Sequence, residues 1–152
     1  MMNDKQYTKF NNLRNIIGQN LQNQYYKFSS TEVHTAEGYD AYHVEFRGPY
    51  NFTVEYCSTD EDLCRYVCFL LFALLFPDFT FTEHRKRRSR KYYLKCLIDV
   101  LEVTPDTRDR LLARVNNGEP VDFILQRIGE SIDERVEKWN ADPKFRPPRT
   151  DK

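Results

Sequence analysis

Hydrophobic positions near the start of the chain recur with a helical period. Phe10, Leu13, Ile17 and Leu21 are spaced three or four residues apart among polar neighbours. Side chains at this spacing lie on one face of a helix. The pattern therefore predicts a helix over residues 4 to 22.

From residue 25 to about residue 60 hydrophobic and polar positions alternate, and aromatic and β-branched residues become frequent. Such residues favour strands. The dipeptides Glu37-Gly38 and Gly48-Pro49 mark two turns, which divide the region into three runs. We therefore predict an antiparallel meander of three strands.

The alternation also indicates a register for the second hairpin. On one side of the sheet it predicts three cross-strand pairs: Phe46 with Phe52, Val44 with Val54, and Tyr42 with Tyr56. The other side would then hold Glu45 opposite Thr53, and His43 opposite Glu55. We expect one apolar face and one polar, acidic face.

A continuous hydrophobic run follows the meander, from Tyr66 to Phe76, and Pro77 closes it. The run is too short to cross a membrane, which takes about twenty residues. A helix that is apolar on all sides belongs in the centre of a core. Just before it, Ser58 and Glu61 fit a capping box. We predict a buried central helix and no membrane association.

Three more helices are indicated towards the end of the chain. An apolar stripe predicts the first over residues 92 to 102. Thr104-Pro105 opens the second, which stops at Asn116-Asn117-Gly118. Pro120 opens the third, whose apolar face runs through residues 121 to 139.

The last two helices invite comparison with a helix-turn-helix DNA reader, in which polar side chains of the second helix enter the major groove. Here the second helix carries an apolar stripe along its full length, and its polar side carries acids that phosphates would repel: Glu130, Asp133, Glu134 and Glu137. We favour a plain helical hairpin.

Together these elements indicate an α+β fold, in which a three-stranded antiparallel meander packs on a buried central helix with about four further helices around that pair. The length of 152 residues suits one domain. We place that domain at residues 1–142. Residues 143–152 contain three prolines and little to bury, which predicts an extended or disordered tail.

Charge is segregated along the chain although the net charge is zero. Residues 28–62 contain eight acids and one Arg, whereas residues 84–95 contain seven Lys and Arg and no acid. The basic segment sits at or near a helix start, where the helix dipole repels cations. We expect solvent, a phosphate or the acidic segment of the same chain to compensate it.

The basic segment also supports a nucleic-acid hypothesis, because Lys and Arg neutralise phosphates and neighbouring tyrosines stack on bases. The candidate contacts are Arg85, Lys86, Arg87, Arg88, Arg90 and Lys91. Nucleic-acid binders usually carry a net basic footprint, and this chain is neutral. We favour a solvated or internally compensated helix end that reaches past the core.

Four cysteines, at positions 57, 64, 68 and 96, raise the questions of disulfides and of a metal site. The polar N-terminus does not match a signal peptide, so we expect a cytoplasmic protein with reduced thiols in its core. The cysteines lack partners at metal-ligand spacing. We predict neither a metal nor a cofactor.

His43 and Glu55 are the one acid and base pair of a kind that a small hydrolase or nuclease uses. No nucleophile motif, Gly-rich phosphate loop or metal constellation accompanies them in the sequence. A cross-strand charge pair is the simpler interpretation. We therefore predict that the protein is not an enzyme.

The acidic meander is the strongest candidate for a binding surface. Carboxylates speed the encounter with cationic partners, and tyrosines among charges are typical interface anchors. The candidate partner-binding residues are Glu32, Glu37, Tyr39, Asp40, Glu45, Tyr50 and Glu55.

A short chain of this kind, with a tyrosine-rich acidic segment and no catalytic motif, resembles the immunity proteins of bacterial toxin–immunity pairs, including those of contact-dependent inhibition. The resemblance implies a one-to-one complex in which carboxylates pair with Lys and Arg of a cationic toxin domain, such as a nuclease. Asp40, Glu45 and Glu55 would be the charge anchors, and Tyr39 and Tyr50 the packing anchors. The alternative is a nucleic-acid-associated regulator that uses the basic segment.

Overall fold

The structure is a computed structural model that describes residues 2–20, 27–34, 40–48, 51–77 and 89–142. Its strands form one antiparallel sheet in the order β1-β2-β3, which confirms the predicted α+β class. In chain order the elements are α1 (Asp4–Asn20), β1 (Lys27–His34), β2 (Asp40–Arg47), β3 (Thr53–Ser58), α2 (Glu61–Leu75), α3 (Arg90–Val100), α4 (Pro105–Asn116) and α5 (Val121–Ala141). The predicted turn at Glu37-Gly38 and the predicted tail at 143–152 lie outside the described residues.

Helix α2 forms the centre of the core because it is apolar on every side. Its residues 66 to 74 are all buried. One side packs on the sheet, where the Phe46 ring of β2 lies edge-on to Phe72 at 4.9 Å between ring centroids. Another side contacts α1, where the Phe10 ring lies 5.7 Å from that of Tyr66. The predicted buried central helix is confirmed, and no helix in the described ranges is long and apolar enough to span a membrane.

The start of α2 differs from the predicted capping box. Strand β3 continues through Ser58, so the helix begins only at Glu61 and Asp60 is its N-cap. The Asp60 carboxylate accepts a hydrogen bond from the backbone N–H of Leu63 at 3.2 Å. Ser58 accepts instead from the N–H of Asp60 at 3.2 Å. The prediction that Ser58 caps the helix is wrong, although acids do occupy its first turn.

The register of the second hairpin also differs, by two residues. Val44 is opposite Tyr56 and Phe46 is opposite Val54. Phe52 therefore leaves the ladder and packs its ring 4.3 Å from that of Phe76. The N–H of Gly48 donates to the carbonyl of Phe52 at 2.8 Å, which closes the longer loop. Because the shift is an even number of residues, the side chains that remain paired in this hairpin keep their predicted sides of the sheet.

The later helices begin and end close to the predicted residues. Thr104 caps α4 by accepting from the N–H of Thr107 at 3.2 Å, and Gly118 ends it with φ 80. Ser89 caps α3 in the same way, through the N–H of Tyr92 at 3.2 Å. The helix therefore starts at Arg90, two residues before the predicted position. Helix α5 buries an apolar stripe along its length, namely Ile124, Leu125, Ile128, Ile132, Val136 and Trp139, as a plain hairpin requires.

All four cysteines are free and buried, which confirms the prediction of core thiols. The thiol of Cys68 lies against the sheet, 3.8 Å from the carbonyl oxygen of Val44. Burial raises the pKa of all four thiols, and that of Cys57 reaches about 12. A raised pKa keeps a thiol protonated and unreactive at neutral pH.

We therefore expect the thiols to be protected from an aromatic disulfide reagent in the native protein and to react fully after denaturation. Native reaction should be slow, because it must wait for opening of the core. The measurement is the absorbance of the released thiolate, with the protein in guanidinium chloride as the control. Fast reaction of any thiol in native buffer would contradict the burial.

Candidate functional site

The side chains of the sheet fall on two sides, one against α2 and one facing away from it. Val44 and Phe46 face α2, so His43 and Glu45 face away, because side chains alternate along a strand. Glu55 is directly opposite Glu45 and faces away as well. This second side is only partly open. The side chain of His43 is 20% exposed and that of Glu55 is 31% exposed.

The carboxylates of the meander lie on both sides of the sheet, so the prediction of one acidic face is wrong. Glu32 is the register partner of Tyr42, which places it on the α2 side. Asp40 lies two residues before Tyr42 on the same strand and shares that side. The observed arrangement is two separate carboxylate clusters, one on each side.

The first cluster contains Glu45, Glu55 and His43, and faces away from α2. Nε2 of His43 lies 2.9 Å from Oε2 of Glu55. The two residues are diagonal neighbours rather than opposite each other, because the register places Cys57 opposite His43. The predicted contact between His43 and Glu55 therefore forms, but the predicted register, with the two residues directly opposite each other, is wrong. Glu45 stands directly opposite Glu55, an arrangement of like charges that costs free energy in a sheet.

The same three residues offer one imidazole and two carboxylates whose ligand atoms lie within 4.8 Å of one another. Imidazole nitrogen and carboxylate oxygen are ligands of zinc and other divalent transition metals. The His43–Glu55 hydrogen bond uses the same atoms. The cluster therefore contains a His43–Glu55 hydrogen bond, and its three ligand atoms also lie close enough together to hold a divalent cation.

A groove of about 580 Å³ lies beside the first cluster, between β3 and α5. Its rim carries carboxylates from both elements, Glu45 and Glu55 on the sheet side and Asp122 and Asp133 on the helix side. Its floor is apolar and includes Val54, Leu71, Leu75, Leu125 and Ile132. Apolar concave surfaces with a few polar groups are the usual form of a binding site.

The second cluster surrounds Tyr42 on the α2 side and contains Glu32, Asp40 and Glu61. The Tyr42 hydroxyl donates to Glu32 at 3.4 Å, and Ser30 donates to Glu61 at 2.7 Å. Desolvation of the ring and then the charges of the three carboxylates raise the pKa of Tyr42. The tyrosine therefore stays protonated and acts as a hydrogen-bond donor among acids.

Arg90 is the first residue of α3, and its charge is compensated inside the molecule. Its Nε and Nη2 donate to the carbonyl oxygen of Leu74 at 3.2 and 3.0 Å, at the negative end of the α2 dipole. Its Nη2 also donates to Asp122 at 2.7 Å. This hydrogen bond lowers the pKa of Asp122. The compensating acid thus lies in α5 and not in the acidic meander, while Lys91 is exposed.

Several predicted site residues lie outside the described part of the chain. These are Glu37, Tyr39, Tyr50, Arg85, Lys86, Arg87 and Arg88. Conversely, the α5 side of the groove was not among the predicted site residues. Asp122, Gln126, Gly129 and Asp133 are spaced four, three and four residues apart, which is a readable helical stripe. Nothing in that spacing indicates that the stripe faces β3.

Comparisons with protein-family models, curated protein sequences and solved structures found no match to this chain. Its function is therefore inferred from the site. The described cysteines have raised pKa values, the opposite of what a thiolate nucleophile requires. Within the described part of the chain, the two carboxylate clusters and the groove offer binding chemistry.

Proposed function

We propose that this protein is a non-enzymatic binding protein that neutralises a cationic partner domain, in the manner of the immunity proteins of bacterial toxin–immunity pairs. The observation that carries the proposal is the direct opposition of Glu45 and Glu55 on the partly exposed side of the sheet. Asp133 extends the same negative charge to the neighbouring helix.

Opposed carboxylates favour binding of a cation because they repel each other in the free protein. His43 pairs with Glu55, and even as a cation it would offset one of the two charges. A Lys or Arg of a partner placed between the carboxylates would relieve the repulsion and gain charge-assisted hydrogen bonds. The negative rim would also accelerate association with a cationic surface.

The test is a calorimetric titration of this protein into a purified candidate partner, a basic protein domain encoded by a neighbouring gene, with the activity of that domain measured in parallel. We expect one-to-one binding, inhibition, and a strong weakening by salt. The double variant Glu45→Gln, Glu55→Gln should lose at least about tenfold in affinity, since both charge anchors are removed.

The matched control is the double variant Asp109→Asn, Glu137→Gln. It makes the same change in net charge at two exposed acids that do not line the groove. Its affinity should stay within about twofold of the original, because exposed charges far from an interface contribute little. Equal losses in both double variants, or binding of nucleic acid alone in gel filtration, would refute the proposal.

A further inference from the structure

Gly129 lies in the interior of α5, where glycine is an unfavourable residue. It costs about 1 kcal/mol relative to alanine in a helix interior. Backbone conformation does not require it, because Gly118 is the glycine with positive φ in the described ranges. Packing does not require it either, since a Cβ at Gly129 would meet no heavy atom within 4 Å. The missing side chain leaves space that the described protein does not fill.

That space belongs to the groove between β3 and α5. Gly129 lines the groove together with the apolar residues Val54, Leu125 and Ile132. Leu75, which also lines it, is 40% exposed, a high value for a leucine beside a core. A side chain on residue 129 would occupy the groove. Glycine therefore keeps an apolar surface accessible from outside.

The rim above this apolar floor is acidic on both sides. It carries Glu45 and Glu55 from the sheet and Asp122 and Asp133 from α5. Within the described ranges no Lys or Arg lines the groove, and Arg90 pairs with one of the four rim carboxylates, Asp122, at one end. The described lining of the groove therefore combines an apolar floor with an excess of negative charge.

We infer that this groove receives an apolar side chain flanked by Lys or Arg, from a partner segment whose backbone passes close over Gly129. The inference rests on the proposed function and identifies the place and the chemistry of the contact. The apolar side chain would cover the exposed part of Leu75, and the flanking cations would pair with the rim. Close approach of a second backbone is a common reason for glycine in a regular element.

The experiment is an NMR titration of the isotopically labelled protein with two peptides of equal positive charge. One alternates lysine with leucine, and the other alternates lysine with serine. We expect the leucine peptide to bind at least about tenfold more tightly, since it buries apolar surface as well as charge. It should shift the amide signals of Val54 and Gly129.

Two glycine variants separate the groove from the surrounding charge. Gly129→Leu places a side chain inside the groove and leaves every rim carboxylate in place. Gly18→Leu is the control, because a Cβ at Gly18 in α1 also meets nothing within 4 Å and this glycine lies outside the groove. We expect Gly129→Leu to lose about tenfold in affinity for the leucine peptide and Gly18→Leu to lose none. Both variants should unfold cooperatively at or above the original temperature, because leucine favours a helix over glycine.

The outcomes distinguish the two proposals. If the two peptides bind equally, or if Gly129→Leu binds as the original does, the groove is not the contact and the inference fails, while the proposed function still stands on the partner titration. If no signal near Gly129 shifts with either peptide, the inference also fails. If changing Arg85, Lys86, Arg87 and Arg88 to Gln tightens binding of the leucine peptide and not of the equally charged serine peptide, the groove is occupied by the chain itself and the inference is overturned.

Discussion

Replacement of Phe72 by alanine is expected to lower the free energy of unfolding by about 3–5 kcal/mol, the range for large aromatic side chains removed from a core. Phe72 is 1% exposed and lies between the rings of Phe46 and Phe76. The backbone also closes around it, because a Cβ on Gly48 would come within 2.7 Å of the Phe72 ring. Because the surroundings are packed this closely, they cannot move in to fill the cavity that removal of the Phe72 ring leaves.

Urea unfolding followed by circular dichroism measures this effect. The matched control is Phe123→Ala, which removes the same side chain from a position that is 61% exposed. It should change the free energy of unfolding by less than about 0.5 kcal/mol. A loss of under about 1 kcal/mol in Phe72→Ala would mean that α2 does not pack on the sheet as described.

The elements could be predicted from the sequence where a single pattern had a single physical solution. The uninterrupted run from Tyr66 to Phe76 allows only a buried helix, since every side of it avoids water. Thr104-Pro105 and Gly118 likewise act locally, through capping and through a left-handed backbone. These predictions needed no information about distant parts of the chain.

The register of the hairpin could not be predicted in the same way. An alternating pattern has a period of two, so it determines which side each residue faces but is equally satisfied after a shift of two residues. The observed choice depends on the loop, where Asn51 adopts φ 62 and Phe52 packs against Phe76. Both are tertiary features. The shift matters for the proposed function, because it brings Glu45 opposite Glu55.

The site was predicted only in part for a related reason. Charge counts along residues 28–62 indicated an acidic region, but they do not separate the α2 side, with Glu32 and Asp40, from the other side. The groove needs α5 to lie along β3, a contact between segments far apart in sequence. The α5 residues that line the groove form a helical stripe that can be seen in the sequence. The sequence does not show that this stripe faces β3.

Arg90 shows how the basic segment relates to the fold. The first turn of α3 is an unfavourable place for a cation, but the guanidinium reaches the carbonyl end of α2, where a cation is favourable. It also holds Asp122 at the start of α5. One residue of the basic segment thus joins three helices, and it fixes one end of the groove.

Arg135 holds the C-terminal half of α5 in place. Its Nε donates to the carbonyl oxygen of Cys57 in β3 at 2.7 Å, and its Nη2 donates to the Glu102 carboxylate at 3.0 Å. Its guanidinium carbon lies 4.9 Å from the centroid of the buried Tyr56 ring. The Tyr56 hydroxyl in turn accepts from the N–H of Glu102 at 3.1 Å. These contacts connect α5 to β3 and to the segment between α3 and α4.

We expect Arg135→Ala to lower the free energy of unfolding by about 2–3 kcal/mol, because a charged hydrogen bond to a carbonyl and a cation–π contact are lost together. Arg135→Lys keeps the charge but not the planar set of donors, so it should recover only part of the loss. Arg127→Ala is the control on the same helix, since the Arg127–Glu130 pair is exposed and contributes little. The measurement is urea unfolding of the three variants, together with the affinity of each for the lysine–leucine peptide. If Arg135→Ala unfolds like Arg127→Ala, then α5 does not depend on Arg135 for its position beside β3, and the walls of the groove must be held by the apolar stripe of that helix alone.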